Sequence, residues 1–168
     1  MDAEQAVVLV PSRYEEWVRR YGDMASHVTT LVPGAVVEHI GSTAVPGLPA
    51  KDVVDVMVGV DARAVRSTAR RLAAAGLDLE GERDHHCWLS APDRSDRAYV
   101  VHVVEHGGRP WTRRVAFRDL LRGDAAARAA YLDVKREAAR STRGWDAYTQ
   151  AKTGVVAELL DRAAPDQR

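Results

Sequence analysis

The segment from 38 to 58, EHIGSTAVPGLPAKDVVDVMV, holds the residue types best suited to meeting a phosphate. A β-branched run ends at Gly41 and Ser42, and such a turn brings backbone N–H groups and a hydroxyl to a point that a phosphate can approach closely, because glycine has no Cβ in the way. A Gly-Ser pair alone is usually an ordinary turn. Here the next apolar run carries a carboxylate, Asp55, and a strand carboxylate behind such a loop is the arrangement that holds Mg²⁺ against a nucleoside triphosphate. Lys51 lies in the intervening loop. The chain has only three lysines, Lys51, Lys135 and Lys152, the other basic residues being Arg. A compact ammonium is not equivalent to a planar guanidinium where a single phosphate oxygen must be met, which marks Lys51 most of all.

Strand geometry sorts the neighbouring residues. Side chains alternate along a strand, so Asp55 and Met57 share a face while Asp52 and Asp55 do not, and Asp52 is expected to be exposed at the strand entry. Arg118 and Arg122 lie four apart on one predicted helix face, as do Tyr148 and Lys152, and each pair could turn a cation toward a triphosphate or toward solvent. The run Asp84-His85-His86-Cys87 lacks the i, i+4 spacing of a helical zinc site, so no metal is expected there. Trp17, Trp88, Trp111 and Trp145 are expected to anchor packing rather than stack on a base.

The elements that must position these groups follow from periodicity. Ser12 with Glu15 forms a capping-box pattern that predicts a helix start, and Tyr14, Trp17, Val18 and Tyr21 give that helix its apolar stripe. Predicted strands cover 35–40 and 53–60, with shorter ones at 76–79, 87–90 and 99–104 and a polar turn over 91–96. Asp61 caps a predicted helix over 62–75, and helical spacing returns over 111–122, 125–140 and 145–163. Pro165–Arg168 is expected to fray. The pattern is α+β: a mixed β-sheet flanked by helices, with a helical C-terminal third, in one domain spanning 1–168.

Composition bounds the partners. The 24 basic and 24 acidic side chains cancel, so overall charge gives no pull toward nucleic acid, and no aromatic-basic stripe emerges. A lone Cys87 offers no disulfide framework, and the apolar run Ala6–Val10 is too short for a signal core or a membrane span. The cytoplasm is the expected compartment.

The same segment resembles the GrpB family, whose members carry HIGSTAVPGL-x-AKPIID followed by an apolar strand. VHVVEHGGRPW (101–111), AFRDLLR (116–122), YLDVK (131–135) and YTQAK (148–152) resemble further family segments in the same order, across nearly the whole chain. The resemblance implies the nucleotidyltransferase superfamily fold, and with it a nucleotide or other small phosphorylated ligand and Mg²⁺ as a possible cofactor. In this reading Gly41, Ser42 and Lys51 hold the phosphates, helped by Arg118, Tyr148 and Lys152, and Asp55 holds the metal. A further ligand is expected from His102 or Glu105, of which strand parity lets only one reach the site, with His102 favoured. The chain departs from the pattern at Asp52, where the family has Pro, at Val100, where it has His, and at Met57, where an active nucleotidyltransferase carries its second carboxylate. Replacing Met57 by Asp is therefore expected to strengthen metal binding. Two functions remain open, nucleotidyl transfer to a small acceptor and a non-catalytic module binding an anionic metabolite or partner. The number of carboxylates converging near Asp55 separates them.

Overall fold

Alternation along one strand decides the architecture. Val54, Val56 and Val58 are fully buried against one helical layer, while Asp55 and Met57 face the other way. In this computed structural model, which describes residues 6–163, five strands form one sheet: β1 (Val36–Ile40), β2 (Val54–Val60), β3 (Asp78–Glu82), β4 (His86–Asp93) and β5 (Asp96–Glu105). Their order is β1-β2-β5-β4-β3, with β2 and β5 parallel and every other pair antiparallel. On one face lie α1 (Tyr14–Leu31) and α2 (Val65–Ala74), which bury Trp17, Val28, Ala69 and Leu72 against Val56, Val58, Val101 and Val103.

The opposite face carries α3 (Arg109–Gly123), followed by α4 (Ala125–Ser141), α5 (Trp145–Ala151) and α6 (Thr153–Ala163). Trp111 of α3 clusters with Ile40, Met57 and Val104, and it presses so closely on β2 that a Cβ at Gly59 would stand 2.5 Å from the indole. The remaining helices join through Leu121, Ala127, Tyr131 and Leu159, which meet Val45 and Leu48 of the loop after β1. This is the expected α+β arrangement of a mixed sheet flanked by helices.

Three local expectations are corrected. Helix α1 starts at Tyr14 with Arg13 as its N-cap, and the Ser12 hydroxyl is buried without a partner, so the capping box does not form. The reason is tertiary: Asp52 accepts hydrogen bonds from Arg13, Arg20 and the Trp17 indole, and this clamp sets the helix entry. Strands β4 and β5 run further than expected, because Arg94 pairs with Asp78 of β3 while the Asp93 carboxylate accepts from Ser95 and Asp96, leaving only a tight turn. The helix expected over 145–163 breaks at Lys152 into α5 and α6. Met1–Gln5 and the expected fraying of Pro165–Arg168 lie outside the described residues. Among those described, no helix is long and apolar enough to cross a membrane.

Candidate functional site

A cleft of about 400 Å³ opens between the Asp55 face of the sheet and helices α3 to α5. Gly41, Ser42, Lys51, Asp55, His102, Tyr148 and Lys152 all line it, so the structure brings together seven of the residues singled out in the sequence. Glycine is required at the first of these. Gly41 adopts φ 73 and ψ −170, a region essentially reserved for glycine, and an added Cβ would stand 2.7 Å from the Asp55 Oδ2. Gly41→Ala is accordingly expected to lower unfolding stability by roughly 2 kcal/mol through backbone strain and to displace the Asp55 carboxylate. Urea denaturation checks this, and unchanged stability would mean the loop relaxes freely.

The three lysines meet here although they are far apart in sequence. Lys135 of α4 is 1% exposed, and its ammonium donates to the Pro49 carbonyl at 2.6 Å, tying the helix to the loop that carries Lys51. The Lys51 Nζ stands 3.1 Å from the centre of the Trp145 ring, and the Lys152 Nζ 4.3 Å from that of Tyr148. Burial lowers all three amines, with mutual repulsion adding to the shift at Lys51 and Lys135: Lys135 falls to about 6, Lys51 to about 7 and Lys152 to about 8. Although burial works against it, the His102 hydrogen bond and the charges of Lys51 and Lys152 hold Asp55 below the usual carboxylate range.

Asp55 is the end of a hydrogen-bond chain. His102 Nε2 lies 3.4 Å from Asp55 Oδ1, and His86 Nε2 lies 3.1 Å from His102 Nδ1. Burial and the neighbouring His102 lower His86 to about 3, and burial lowers His102 too, so both rings are neutral near pH 7. A neutral chain in which His86 donates to His102 and His102 donates to Asp55 satisfies every nitrogen between them. A second lobe of about 330 Å³, with Ile40, Phe117 and Val156 in its wall, joins the first at Asp55, His102, Arg114 and Lys152.

Two expected site residues lie elsewhere. Glu105 is exposed at the far end of β5, paired with Val60, and shares the face of Val101 and Val103, which is the α1–α2 side of the sheet. Arg118 is bound to Glu38 at 2.6 Å and to Asp119 at 2.9 Å and donates to the His39 carbonyl, so its guanidinium is held outside the cleft. Arg114, one turn earlier on α3, takes the place expected of Arg118, and no acidic partner for it occurs among the described residues. Lys135, Arg114, His86 and Trp145 are among the lining residues that sequence reasoning missed, as are Arg83, Arg97 and Tyr131. The scarcity of lysine was the signal for Lys135.

The donor set does not fit the expected Mg²⁺. Among the described residues no three His, Cys, Asp or Glu side chains converge as a metal-holding group, and this covers His85-His86-Cys87 as well. Met57 shares the Asp55 face but is sealed between Ile40, Val104 and Trp111, and it lines neither lobe. Asp55 stands among ammonium groups where a hard dication would need further carboxylates. Asp52, on the opposite face, serves the α1 clamp.

Comparison with known proteins agrees with this fold. A family profile described as "GrpB protein" matches residues 6–162. A "UPF0157 protein" of Deinococcus radiodurans is 44% identical over 149 residues, covering 88% of this chain and 78% of that one. The crystal structure of conserved protein GrpB from Enterococcus faecalis matches with a TM-score of 0.76 at 24% identity, over 93% of this chain and 99% of that one. The Cid1 poly(U) polymerase matches with a TM-score of 0.55 at 15% identity, over 82% of this chain and 47% of that one. At these identities the two structures share the fold, which is nucleotidyltransferase-like.

Proposed function

Because the chain belongs to the GrpB family and has a nucleotidyltransferase-like fold, we propose that its cleft binds a small polyphosphate anion, such as a nucleoside triphosphate, without requiring Mg²⁺. One observation carries this reading: the only three lysines of the chain converge on one cleft. Six cationic side chains, Lys51, Arg83, Arg97, Arg114, Lys135 and Lys152, line it against three carboxylates, Asp55, Glu80 and Asp146. Glu80 is already bound by Arg97. An excess of desolvated cations is costly in the free protein and favourable once an anion enters. The Tyr148 hydroxyl, buried in the cleft wall without a partner, is a further donor for phosphate oxygens.

Calorimetric and thermal-shift titration with sodium triphosphate and ATP, each with and without Mg²⁺, tests the reading. Saturable binding in the absence of Mg²⁺ is expected, with a thermal midpoint that rises with ligand concentration. No response to any phosphate would sink it. A strict requirement for Mg²⁺ would restore a metal role for Asp55.

Binding should also depend on pH with a definite sign. Lys135, Lys51 and Lys152, at about 6, 7 and 8, must be charged to hold phosphate, so the complex takes up protons from a partly neutral site. A phosphate ester loses its second proton at about pH 6, so the terminal phosphate of ATP changes charge little above pH 7. Affinity for ATP is therefore expected to fall as pH rises from 7 to 9, and titrations in buffers of different ionisation enthalpy should report net proton uptake. Flat affinity across that range would mean the lysines are ordinary surface amines.

A second reading, nucleotidyl transfer to a small acceptor, is favoured by the second lobe that meets the first at Asp55 and His102. Only one carboxylate, Asp55, stands where the two lobes meet, which weighs for the binding function. Turnover of ATP in the presence of Mg²⁺ and a captured acceptor would decide for transfer.

A further inference from the structure

Four aromatic side chains other than histidine line the main lobe, Trp88, Tyr131, Trp145 and Tyr148, and a nucleotide site would use such rings to stack the base. Each of them instead carries a cation of the chain itself. Lys51 and Arg97 stand over Trp145 at 3.1 and 4.8 Å, and Lys51 and Lys152 over Tyr148 at 4.9 and 4.3 Å. Lys135 lies over Tyr131 at 5.6 Å and Arg83 over Trp88 at 5.3 Å. Trp88 also covers Gly81 of the neighbouring strand, where a Cβ would come within 2.1 Å of the indole, so that contact occupies part of the ring as well. Tyr131 meets the Phe117 ring edge-on.

The placement has a physical purpose in a cleft with few carboxylates. A quadrupole offers a cation attraction without carrying a charge that would repel an incoming anion. Aromatic rings therefore hold the ammonium groups in position where counter-carboxylates would compete with the ligand. We propose that the cleft reads the phosphate chain and not the base, so that inorganic triphosphate is bound as tightly as any nucleoside triphosphate. This rests on the polyphosphate reading above and narrows it to the phosphate chain as the recognised group.

The test compares dissociation constants for sodium triphosphate, ATP, UTP and adenosine on the unaltered chain, then on Trp145→Leu and Trp145→Phe. On the unaltered chain, triphosphate, ATP and UTP are expected to agree within about threefold and adenosine to leave the protein unbound. Trp145→Leu removes the ring beneath Lys51 and should weaken triphosphate and ATP alike, each roughly tenfold. Trp145→Phe keeps a ring and should recover most of the loss for both. Binding of one nucleoside triphosphate more than tenfold tighter than inorganic triphosphate would overturn the inference, as would a Trp145→Leu loss confined to ATP. Both outcomes leave the polyphosphate reading standing. Absence of binding by all three phosphates would overturn that reading and the inference with it. The comparison on the unaltered chain decides the matter even if Trp145→Leu fails to fold.

Discussion

Replacing Lys152 by Met is expected to weaken triphosphate binding between ten- and a hundredfold while making the ligand-free protein more stable. Lys152 stands at the break between α5 and α6, over the Tyr148 ring, and lines both lobes of the cleft. A charge-assisted hydrogen bond to phosphate contributes roughly 1.5–3 kcal/mol, which gives the loss in affinity. The gain arises because burial penalises the charged amine and because Lys152 repels both Lys51 and Lys135 in the empty cleft. A neutral thioether of similar length removes that repulsion, and a stabilisation of about 1 kcal/mol should follow at pH 7. Urea denaturation and calorimetry on the same preparation read both changes. Lost affinity with lost stability would mean that Lys152 is a packing residue, and retained affinity would remove it from the site.

Met57→Asp is expected to destabilise the fold by about 4 kcal/mol and to leave Mg²⁺ affinity unchanged. Sequence parity alone pointed the other way, toward a restored metal site. Met57 does share the Asp55 face, but it is fully buried among Ile40, Val104 and Trp111, and a carboxylate there has no partner and no water. A buried unpaired charge is among the few mechanisms that reach this magnitude. Met57→Leu, which conserves shape and polarity, should cost under about 1.5 kcal/mol and serves as the control. Tighter Mg²⁺ binding by Met57→Asp would show that α3 moves aside and that the Asp55 face can become a metal site.

The part of the site held in one loop was legible because a strand, a turn and a second strand compress it into adjacent residues. Gly41, Ser42, Lys51 and Asp55 needed only the alternation of side chains and the absence of a glycine Cβ. The helices contributed a harder problem. Arg114 and Arg118 lie on one face a turn apart, and which of them enters the cleft depends on Glu38, a residue on β1 that captures Arg118 across the fold. His86 was readable as a poor metal ligand, but its bond to His102 depends on the register of β4 against β5, which pairs Trp88 with His102 and puts His86 on the same face two residues away. The capping box at Ser12 failed for the same reason, since the Asp52 clamp lies far off in sequence. Local chemistry reads well from a string of residues; pairing partners brought by the fold do not.

The helices that close the cleft rest on one another more than on the sheet. Helices α5 and α6 pack against α4 and α3, and α4 in turn meets α3, while the strands bearing Asp55 and His102 form the opposite wall. The cleft is thus a seam between the sheet and a helical layer that are joined beneath it by Trp111 of α3 and across it by the Lys135 bond to Pro49. Like charges press on the seam from both sides when it is empty. A polyanion inside it would act as mortar, drawing Lys51 on the loop side and Lys135 and Lys152 on the helix side onto one set of oxygens. The ligand would then complete the interior of the molecule as a keystone completes an arch, and the occupied protein would be a better-joined solid than the chain alone can build.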